Sequence, residues 1–360
     1  MSDITYIPII KTTDAELRAL KNLSSDVKDK ITPLVELTKS RRTKYLEGGD
    51  IYRRLRKLEE VFEDRCFILD LTTEPNLINE QIEGLQTTTK GYGKWVTLVT
   101  ELQEDFPSII PTIQISDKDV SNEKEYNERL KEQVEALDGK FESLVYRFPA
   151  DYPDYKHDLD IINEALLISK LIVLMDFGFI TQGKAEDNAT KAKSLIKELE
   201  NYSIEKLVLS ATSYPKNPTE FGGEDDGTFN LEEVEFYTRV NDNIDKEIVY
   251  SDYASIHPVR SDQAGGNGWI PRIDVPTENQ IFYHRSRRSN IERTYADAYK
   301  RVAQMIVGKK AYRRTKNNVR NCWGIKQIES ASEGYPQGLS PSFWISIRMN
   351  IYITLRNNLF

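Results

Sequence analysis

Short apolar segments alternate with amphipathic helical segments along most of the chain, and this alternation restricts the fold more than any other feature. Eight such segments, rich in β-branched residues and bounded by polar turns, occupy residues 6–11, 31–38, 66–72, 109–116, 143–148, 171–177, 205–211 and 247–254. Each is too short for a helix and almost entirely apolar, which is typical of strands buried on both faces. The sequence therefore predicts parallel strands joined by right-handed helical crossovers.

Eight strand–helix units predict closure into a TIM-like (β/α)8 barrel, an α/β fold that a chain of 360 residues can form as one unit. A doubly wound open sheet is the rival, but its first strand–helix turn normally carries a Gly-rich phosphate motif. No such motif follows YIPIIK at residues 6–11. The barrel is expected over residues 1–309.

Two segments interrupt the alternation, at about residues 213–230 and 257–280. Both are rich in Gly, Pro, Asn and Asp, so we predict loop insertions on the C-terminal face of the barrel. Residues 310–360 are expected to form a basic extension packed on the barrel. Within it, the Ser-Pro pair at 340–341 predicts the start of a helix.

The composition excludes several classes of protein. No apolar run approaches the roughly 20 residues that span a bilayer, and the first residues lack the features of a secretory signal. Two cysteines and three histidines in the chain do not supply a disulfide framework or a typical zinc site. We expect a cytoplasmic protein without membrane contact.

The charges are distributed unevenly. The net charge is −8, yet residues 281–360 contain 15 Lys and Arg against 4 Asp and Glu. An acidic body with a basic end is expected in a protein that contacts nucleic acid or an acidic partner. The simpler alternative is that the basic end packs on the acidic body.

Polar residues lie near the C-terminal end of every predicted strand. By the alternation of side chains along a strand, each faces the same side as an apolar residue two positions earlier. The set is Lys11, Glu36, Asp70, Gln114, Arg147, Asp176, Ser210 and Asp252. We predict a polar ring at the barrel mouth, where barrel enzymes place their chemistry. An ion-pair ring with a purely structural role is the alternative.

Four acids of this ring, Glu36, Asp70, Asp176 and Asp252, are predicted ligands of Mg²⁺, which prefers oxygen donors. Lys11 and Arg147, with Arg285 farther along the chain, are predicted to neutralise a phosphate or other oxyanion. His257 is a predicted acid or base near neutral pH.

The segment AGGNGW at 264–269 follows the last strand of the predicted barrel, where barrels often bind phosphate through backbone N–H groups. Its predicted binding residues are Arg260, Gly265, Gly266 and Gly268. The alternative for this segment is an ordinary flexible turn.

The segment LIVLMDFGF contains Asp176-Phe177-Gly178, the tripeptide of protein kinases. No HRD motif precedes it, and no Gly-rich loop followed by Val-Ala-Ile-Lys opens the chain. Asp176 is therefore predicted to be the sixth strand's member of the ring rather than a kinase residue.

Two basic segments, residues 39–57 and 284–320, predict nucleic-acid contact. The second also contains tyrosines that can stack on exposed bases. No recognised nucleic-acid motif accompanies them. An ordinary solvated surface is the alternative.

The chain resembles the Beta protein family, which takes its name from a protein of a temperate phage satellite. The resemblance rests on several short motifs spread over nearly the whole chain. These are Y-x-P-x-x-K and AELRAL near the start, PLVEL, LIVLMDFG, SDYASIHP, IFYHR and the closing G-x4-FWISIRMN. It implies a barrel-like fold and a role in defence against phages, but no established active site. Where the family pattern leads us to expect a His-rich tail, this chain has Asn350-Ile351-Tyr352.

Two hypotheses of function follow. The first is a defence effector whose barrel acts on a phosphodiester or nucleotide with Mg²⁺. The second is a non-catalytic sensor or scaffold that binds a phage component or a partner defence protein. A phage-encoded accessory protein without a defence role is a third possibility.

Overall fold

A computed structural model describes residues 4–42, 44, 47–242, 244, 246–259, 268–288 and 294–360. In chain order its strands are β1 (Tyr6–Lys11), β2 (Leu34–Leu37), β3 (Phe67–Leu71), β4 (Ile109–Pro111), β5 (Ser143–Pro149), β6 (Lys170–Phe179), β7 (Lys206–Thr212), β8 (Asp226–Asn230), β9 (Ile248–Asp252), β10 (Arg272–Pro276) and β11 (Gln280–Arg285). Its helices are α1 (Asp14–Lys21), α2 (Ser25–Lys28), α3 (Tyr52–Phe62), α4 (Glu80–Leu85), α5 (Thr89–Asp105), α6 (Glu123–Leu137), α7 (Tyr155–Ala165), α8 (Ala185–Glu198), α9 (Glu232–Asn241), α10 (Tyr295–Val307), α11 (Lys310–Asn318), α12 (Trp323–Glu333) and α13 (Pro341–Asn357).

Eight strands form one parallel sheet in the order β4-β3-β2-β1-β9-β7-β6-β5. The two ends of this sheet meet at a seam, where Thr112, just past β4, pairs with Val145 of β5 in a single parallel bridge. At the seam the Ile113 N–H also donates to the Val145 carbonyl oxygen at 2.7 Å. The fold is thus a nearly closed TIM-like barrel, and the fold class predicted from the sequence is confirmed.

The barrel interior is filled by the apolar residues that alternate along the strands. These are Ile7, Ile9, Leu34, Ile68, Ile110, Val145, Ile172, Leu174, Val208, Val249 and Tyr253, together with Ile4. The residues of opposite phase pack outward against the helices in a larger cluster. Burial on both faces explains why the strands are apolar throughout.

The two predicted insertions contain regular structure as well as loop. β8 lies within residues 213–230, and β10 lies within residues 257–280. Both pair with β11 in a small antiparallel sheet of order β10-β11-β8. The prediction of loops alone was therefore wrong for these stretches, because their strands form by pairing between distant segments that local composition does not reveal.

Helix α13 joins the small sheet to the barrel. Met349 and Ile353 pack in the outer barrel cluster, whereas Ile347 and Ile351 pack with α10, α12 and the small sheet. No helix in these described stretches is long and apolar enough to cross a membrane.

Candidate functional site

Six of the predicted ring residues meet at the C-terminal mouth of the barrel, and one of them is Gln114, whose side-chain amide donates to Asp70 Oδ1 at 3.2 Å. Lys11, Glu36, Asp70, Arg147 and Asp176 each lie two positions beyond an interior apolar residue of β1, β2, β3, β5 and β6. The phase of each strand therefore turns its polar side chain into the same opening.

Arg147 is the centre of this group. Its Nη1 donates to Glu36 Oε1 at 2.8 Å and to Asp70 Oδ2 at 2.9 Å. Its Nε and Nη2 donate to Asp176 Oδ2 at 3.0 and 2.7 Å. A guanidinium is suited to this position because its donors point in several fixed directions within one plane.

Tyr253 completes the ring, although sequence reasoning did not select it. Its hydroxyl accepts from Arg147 Nη2 at 3.0 Å and donates to Asp176 Oδ2 at 2.5 Å. Burial, and then the charge of Asp176, raises the pKa of Tyr253 well above its ordinary value, so the hydroxyl stays protonated as a donor. Its phase with Val249 was the signal that could have identified it.

Lys11 forms the edge of the ring. Its Nζ lies 3.1 Å from Glu36 Oε2 and donates to the Pro258 carbonyl oxygen at 3.2 Å. Burial lowers the pKa of Lys11, but Glu36 and Glu16 raise it by more, so it lies above its ordinary value. For Glu36, burial acts to raise the pKa of the carboxyl. The charges of Lys11 and Arg147 outweigh this effect and hold that pKa below its ordinary value.

The acids of the ring have no carboxylate oxygen left without a donor. Asp70 Oδ1 accepts from Thr112 at 2.8 Å, from Gln114 at 3.2 Å and from the Leu71 N–H. Asp176 Oδ1 accepts from the Gly178 N–H at 2.9 Å. The ring is a closed hydrogen-bond network in which a guanidinium stands where a shared cation would bind.

The predicted Mg²⁺ ligands are accordingly not arranged around a common cation. Glu36, Asp70 and Asp176 all face Arg147, and the fourth acid, Asp252, lies elsewhere. Within the described stretches, no group of three or more His, Cys, Asp or Glu side chains is arranged to hold a metal ion. As it stands, the donor set fits a buried arginine better than a divalent cation.

The phase predicted for the last strand of the barrel was wrong by one residue. Val249 and Tyr253 face the interior, whereas Tyr250 and Asp252 face the helix layer. Asp252 is completely buried there, and its Oδ1 accepts from the Tyr6 hydroxyl and from the Ala254 N–H, both at 2.8 Å. A shift of one residue exchanges the faces of every side chain in a strand.

The remaining predicted residues take no part in the Arg147 network. Ser210 has the inward phase of Val208 and pairs with Asp176 in the sheet, but its buried hydroxyl has no partner within the described part of the chain. Arg285 lies on β11 of the small sheet and donates to the Glu224 carbonyl. Gly268 precedes β10 and is away from the ring, and Arg260, Gly265 and Gly266 lie outside the described residues. The positions of the expected histidines, Asn350, Ile351 and Tyr352, are buried in α13.

A cavity of about 390 Å³, here called the basic cavity, opens beside Lys11. Its charged lining residues are Lys11, Lys39, Arg41, Arg42, Arg54, Asp14 and Glu16, and His257 lies on the same wall. A smaller cavity of about 200 Å³ lies over the ring and shares Lys11 and Pro258 with it. The basic cavity was missed because residues 39–57 were predicted to contact nucleic acid and were not grouped with Lys11 and His257.

Two sequence comparisons match nearly the whole chain. The sequence profile of the Beta protein family, described as "Beta protein", matches residues 6–356. "Protein beta" of Enterobacteria phage P4 is 25% identical over 351 residues, which cover 97% of this chain and 92% of the phage protein. These findings confirm the family predicted from the short motifs.

A chitinase from Chromobacterium violaceum is a structural neighbour, with 10% identity and a TM-score of 0.35 over 96% of this chain and 98% of the chitinase. That degree of likeness transfers no activity or site to this protein.

Proposed function

This chain belongs to the Beta protein family, and from that premise we propose that it binds a phosphate-bearing ligand, a nucleotide or a phosphodiester, in the basic cavity as part of anti-phage defence. The observation that carries the binding proposal is the lining of this cavity, with five Lys and Arg against two acids. The defence role is the expectation that the family likeness implies.

The two acids of the basic cavity are already engaged within the protein. Asp14 Oδ1 accepts from Arg54 Nη1 at 2.7 Å and from Lys57 Nζ at 2.8 Å. Glu16 accepts from the Lys11 backbone N–H and from the Thr13 hydroxyl, and burial raises the pKa of its carboxyl. Arg41 Nε also lies 3.5 Å from Asp14 Oδ2, yet its side chain remains largely exposed and, together with the exposed Arg42, it can attract an anion from solvent.

The size of the cavity agrees with such a ligand. About 390 Å³ lies within the range of small-molecule sites, roughly 300–1,000 Å³. Lys11 lines both the basic cavity and the cavity over the ring, so an anion beside its ammonium is adjacent to Arg147 and Tyr253. The supporting geometry favours binding over metal-dependent hydrolysis, because the ring acids are saturated with donors.

Hydrolysis of the bound ligand is a second candidate, and the placement of His257 favours it. Burial lowers the pKa of His257, and the charges of Lys216 and Lys11 act in the same direction. The hydrogen bond with Val259 raises this pKa, but the net value lies below the ordinary one. A neutral imidazole on the wall of the basic cavity is suited to accept a proton from water. Participation of Mg²⁺ stays a prediction that requires the carboxylates to separate from Arg147.

Calorimetric titration with ATP, and with a linear dinucleotide, tests the binding proposal. The variant Arg41→Ala/Arg42→Ala removes two lining cations, and we expect its Kd to rise at least about tenfold, or about 1.4 kcal/mol. Arg53→Ala/Arg56→Ala is the matched control, because these exposed arginines lie on α3 outside the cavity lining. Equal affinity in both double variants, or no binding by the unmodified protein, would overturn the proposal.

Phage challenge of bacteria that express these proteins tests the defence role. We expect protection by the unmodified protein and by the Arg53/Arg56 control, and its loss in the Arg41/Arg42 variant. Absence of protection by the unmodified protein contradicts the defence role while leaving the binding result intact. Turnover of the dinucleotide, measured with and without Mg²⁺, would distinguish an enzyme from a sensor. An enzyme should lose this turnover in the His257→Gln variant.

A further inference from the structure

A partly exposed aromatic pair lies next to β10 and α10, and neither of its residues lines the basic cavity. The rings of Trp269 and Tyr295 are stacked, with centroids 4.3 Å apart and an interplanar angle of 16°. The Arg288 guanidinium lies 5.3 Å from the centroid of the Tyr295 ring. We infer that these residues, here called the Trp269 platform, bind single-stranded nucleic acid by stacking on an unpaired base.

The Trp269 side chain is held in place although it is exposed. Its backbone N–H donates to the Tyr295 hydroxyl at 3.3 Å, and its side chain hydrogen-bonds the buried Tyr299. Tyr295 covers one face of the indole, yet 40% of the residue remains exposed. A ring that is already immobilised loses little conformational entropy when a base stacks on it.

Gly268 is required for this arrangement. Its φ of +104° is a conformation that favours glycine, and a Cβ atom there would lie 2.8 Å from the Tyr295 hydroxyl. The backbone is thus adapted to bring Trp269 against Tyr295. The exposed Trp269 ring is therefore presented to solvent in one fixed orientation.

The segment of the chain that contains Tyr295 is rich in positive charge, as contact with a nucleic-acid backbone requires. Residues 285–320 contain 12 Lys and Arg against 2 Asp and Glu. Part of this charge is used internally, since Lys309 pairs with Asp226, Arg314 with Glu278 and Lys316 with Glu329. Arg287 and Arg288 are exposed next to the platform. Proteins that bind single-stranded nucleic acids combine aromatic rings, on which bases stack, with cations that contact the phosphates.

Fluorescence anisotropy with labelled oligo-dT and oligo-rU of about 20 nucleotides tests the inference. We expect both strands to bind more tightly than a duplex of equal length. Trp269→Ala should weaken binding by about 5- to 150-fold, the equivalent of one lost base stack. Trp269→Phe should retain part of the affinity, because it keeps a ring. Tyr335→Ala is the matched control, since Tyr335 is 69% exposed without a described aromatic partner.

The salt dependence of the oligonucleotide affinity tests the electrostatic contribution to binding. Arg287→Gln/Arg288→Gln should weaken binding and flatten the decline of affinity with salt, because fewer counterions are released. Lys191→Gln on α8 is the control for an exposed cation elsewhere on the barrel. Tighter binding of duplex, or unchanged binding by a Trp269→Ala protein with the unmodified melting temperature, would overturn the inference.

The outcome is separable from that of the proposed function. Trp269→Ala should leave ATP binding unchanged, and Arg41→Ala/Arg42→Ala should leave oligonucleotide binding unchanged. If both ligands are lost together in either folded variant, the Trp269 platform is not an independent site and the inference fails.

Discussion

Arg147 offsets the energetic cost of bringing three acids together at the barrel mouth. Glu36, Asp70 and Asp176 approach one another at the mouth with side chains that are largely shielded from water, which penalises each charge. Direct hydrogen bonds from one guanidinium compensate this penalty. A buried network of this kind is costly to break, even where its net contribution to stability is small.

Replacement of Arg147 by Met is expected to lower the free energy of unfolding by about 3–5 kcal/mol, because three acids lose their common cation. Urea denaturation at neutral pH measures the change. Arg239→Met is the control, since Arg239 is exposed and pairs with Glu186 and Glu235 on the surface; its effect should be much smaller. Similar losses in both variants would show that the ring is not energetically distinct from the surface.

Replacement of Glu36 by Gln gives a pH-dependent prediction. The folded-state pKa of Glu36 lies below its ordinary value of 4.5, so its stabilising charge is fully present above that pH and is lost as the pH falls through the lowered pKa. We expect Glu36→Gln to cost about 1.5–3 kcal/mol at neutral pH. The difference from the unmodified protein should narrow in acid.

Urea denaturation of both proteins across the acidic range tests this prediction. Glu60→Gln serves as control, because Glu60 is an exposed acid bonded to Lys21. A gap for Glu36→Gln that stays constant from neutral to acidic pH would contradict the assignment of charge to Glu36.

At the scale of elements, α13 connects the outer barrel cluster with the cluster around the small sheet, through polar contacts as well as apolar ones. Arg348 donates to Asp274 of β10 at 2.7 Å, and Asn350 donates to the Ala19 carbonyl of α1 at 3.1 Å. Tyr352 donates to Glu233 of α9 at 2.9 Å. Each of these contacts reaches a different element, so the helix holds the small sheet against the barrel.

Helix α12 packs tightly against α13 at Gly324. A Cβ atom there would lie 2.6 Å from Ile351 Cγ1 and 2.7 Å from the Ile347 carbonyl oxygen. Gly324→Ala is therefore expected to lower the free energy of unfolding by about 1–3 kcal/mol through overpacking, although alanine favours helix formation.

Thermal and urea denaturation measure this effect. Gly48→Ala is the matched control, because among the described residues no atom beyond its chain neighbours lies within 4 Å of its Cβ position. Unchanged or increased stability of Gly324→Ala would mean that α12 moves away from α13 at little cost.

For the whole molecule, the seam between β4 and β5 is the weakest part of the barrel wall. β4 has three residues, and a single bridge joins its end to β5, whereas β6 pairs with β5 along seven residue pairs. Strands with fewer neighbouring hydrogen bonds open locally at lower free energy. The seam is thus the expected place for the barrel to open without global unfolding.

Hydrogen–deuterium exchange tests this expectation. Peptides that cover residues 109–116 should exchange well before peptides that cover residues 170–179. Peptides from β1, which pairs with β2 and β9, provide an internal reference. Equal protection of the seam and of β6 would indicate a uniformly closed barrel.

The sequence alone was sufficient for the barrel and for much of its mouth. The period of two along each strand, combined with burial on both faces, predicts which residues face inward. It correctly directed Lys11, Glu36, Asp70, Arg147 and Asp176 to one opening. Their predicted roles in chemistry are not decided by this placement.

Only the tertiary structure decided how those side chains are used. It turned Asp252 outward and Tyr253 inward, because the last strand offers two apolar phases and only pairing with its neighbours selects one. It also converted two Gly- and Pro-rich stretches into strands, through pairing with β11. Local patterns specify the direction of a side chain along its own strand, whereas partners from distant segments depend on how the chain closes in space.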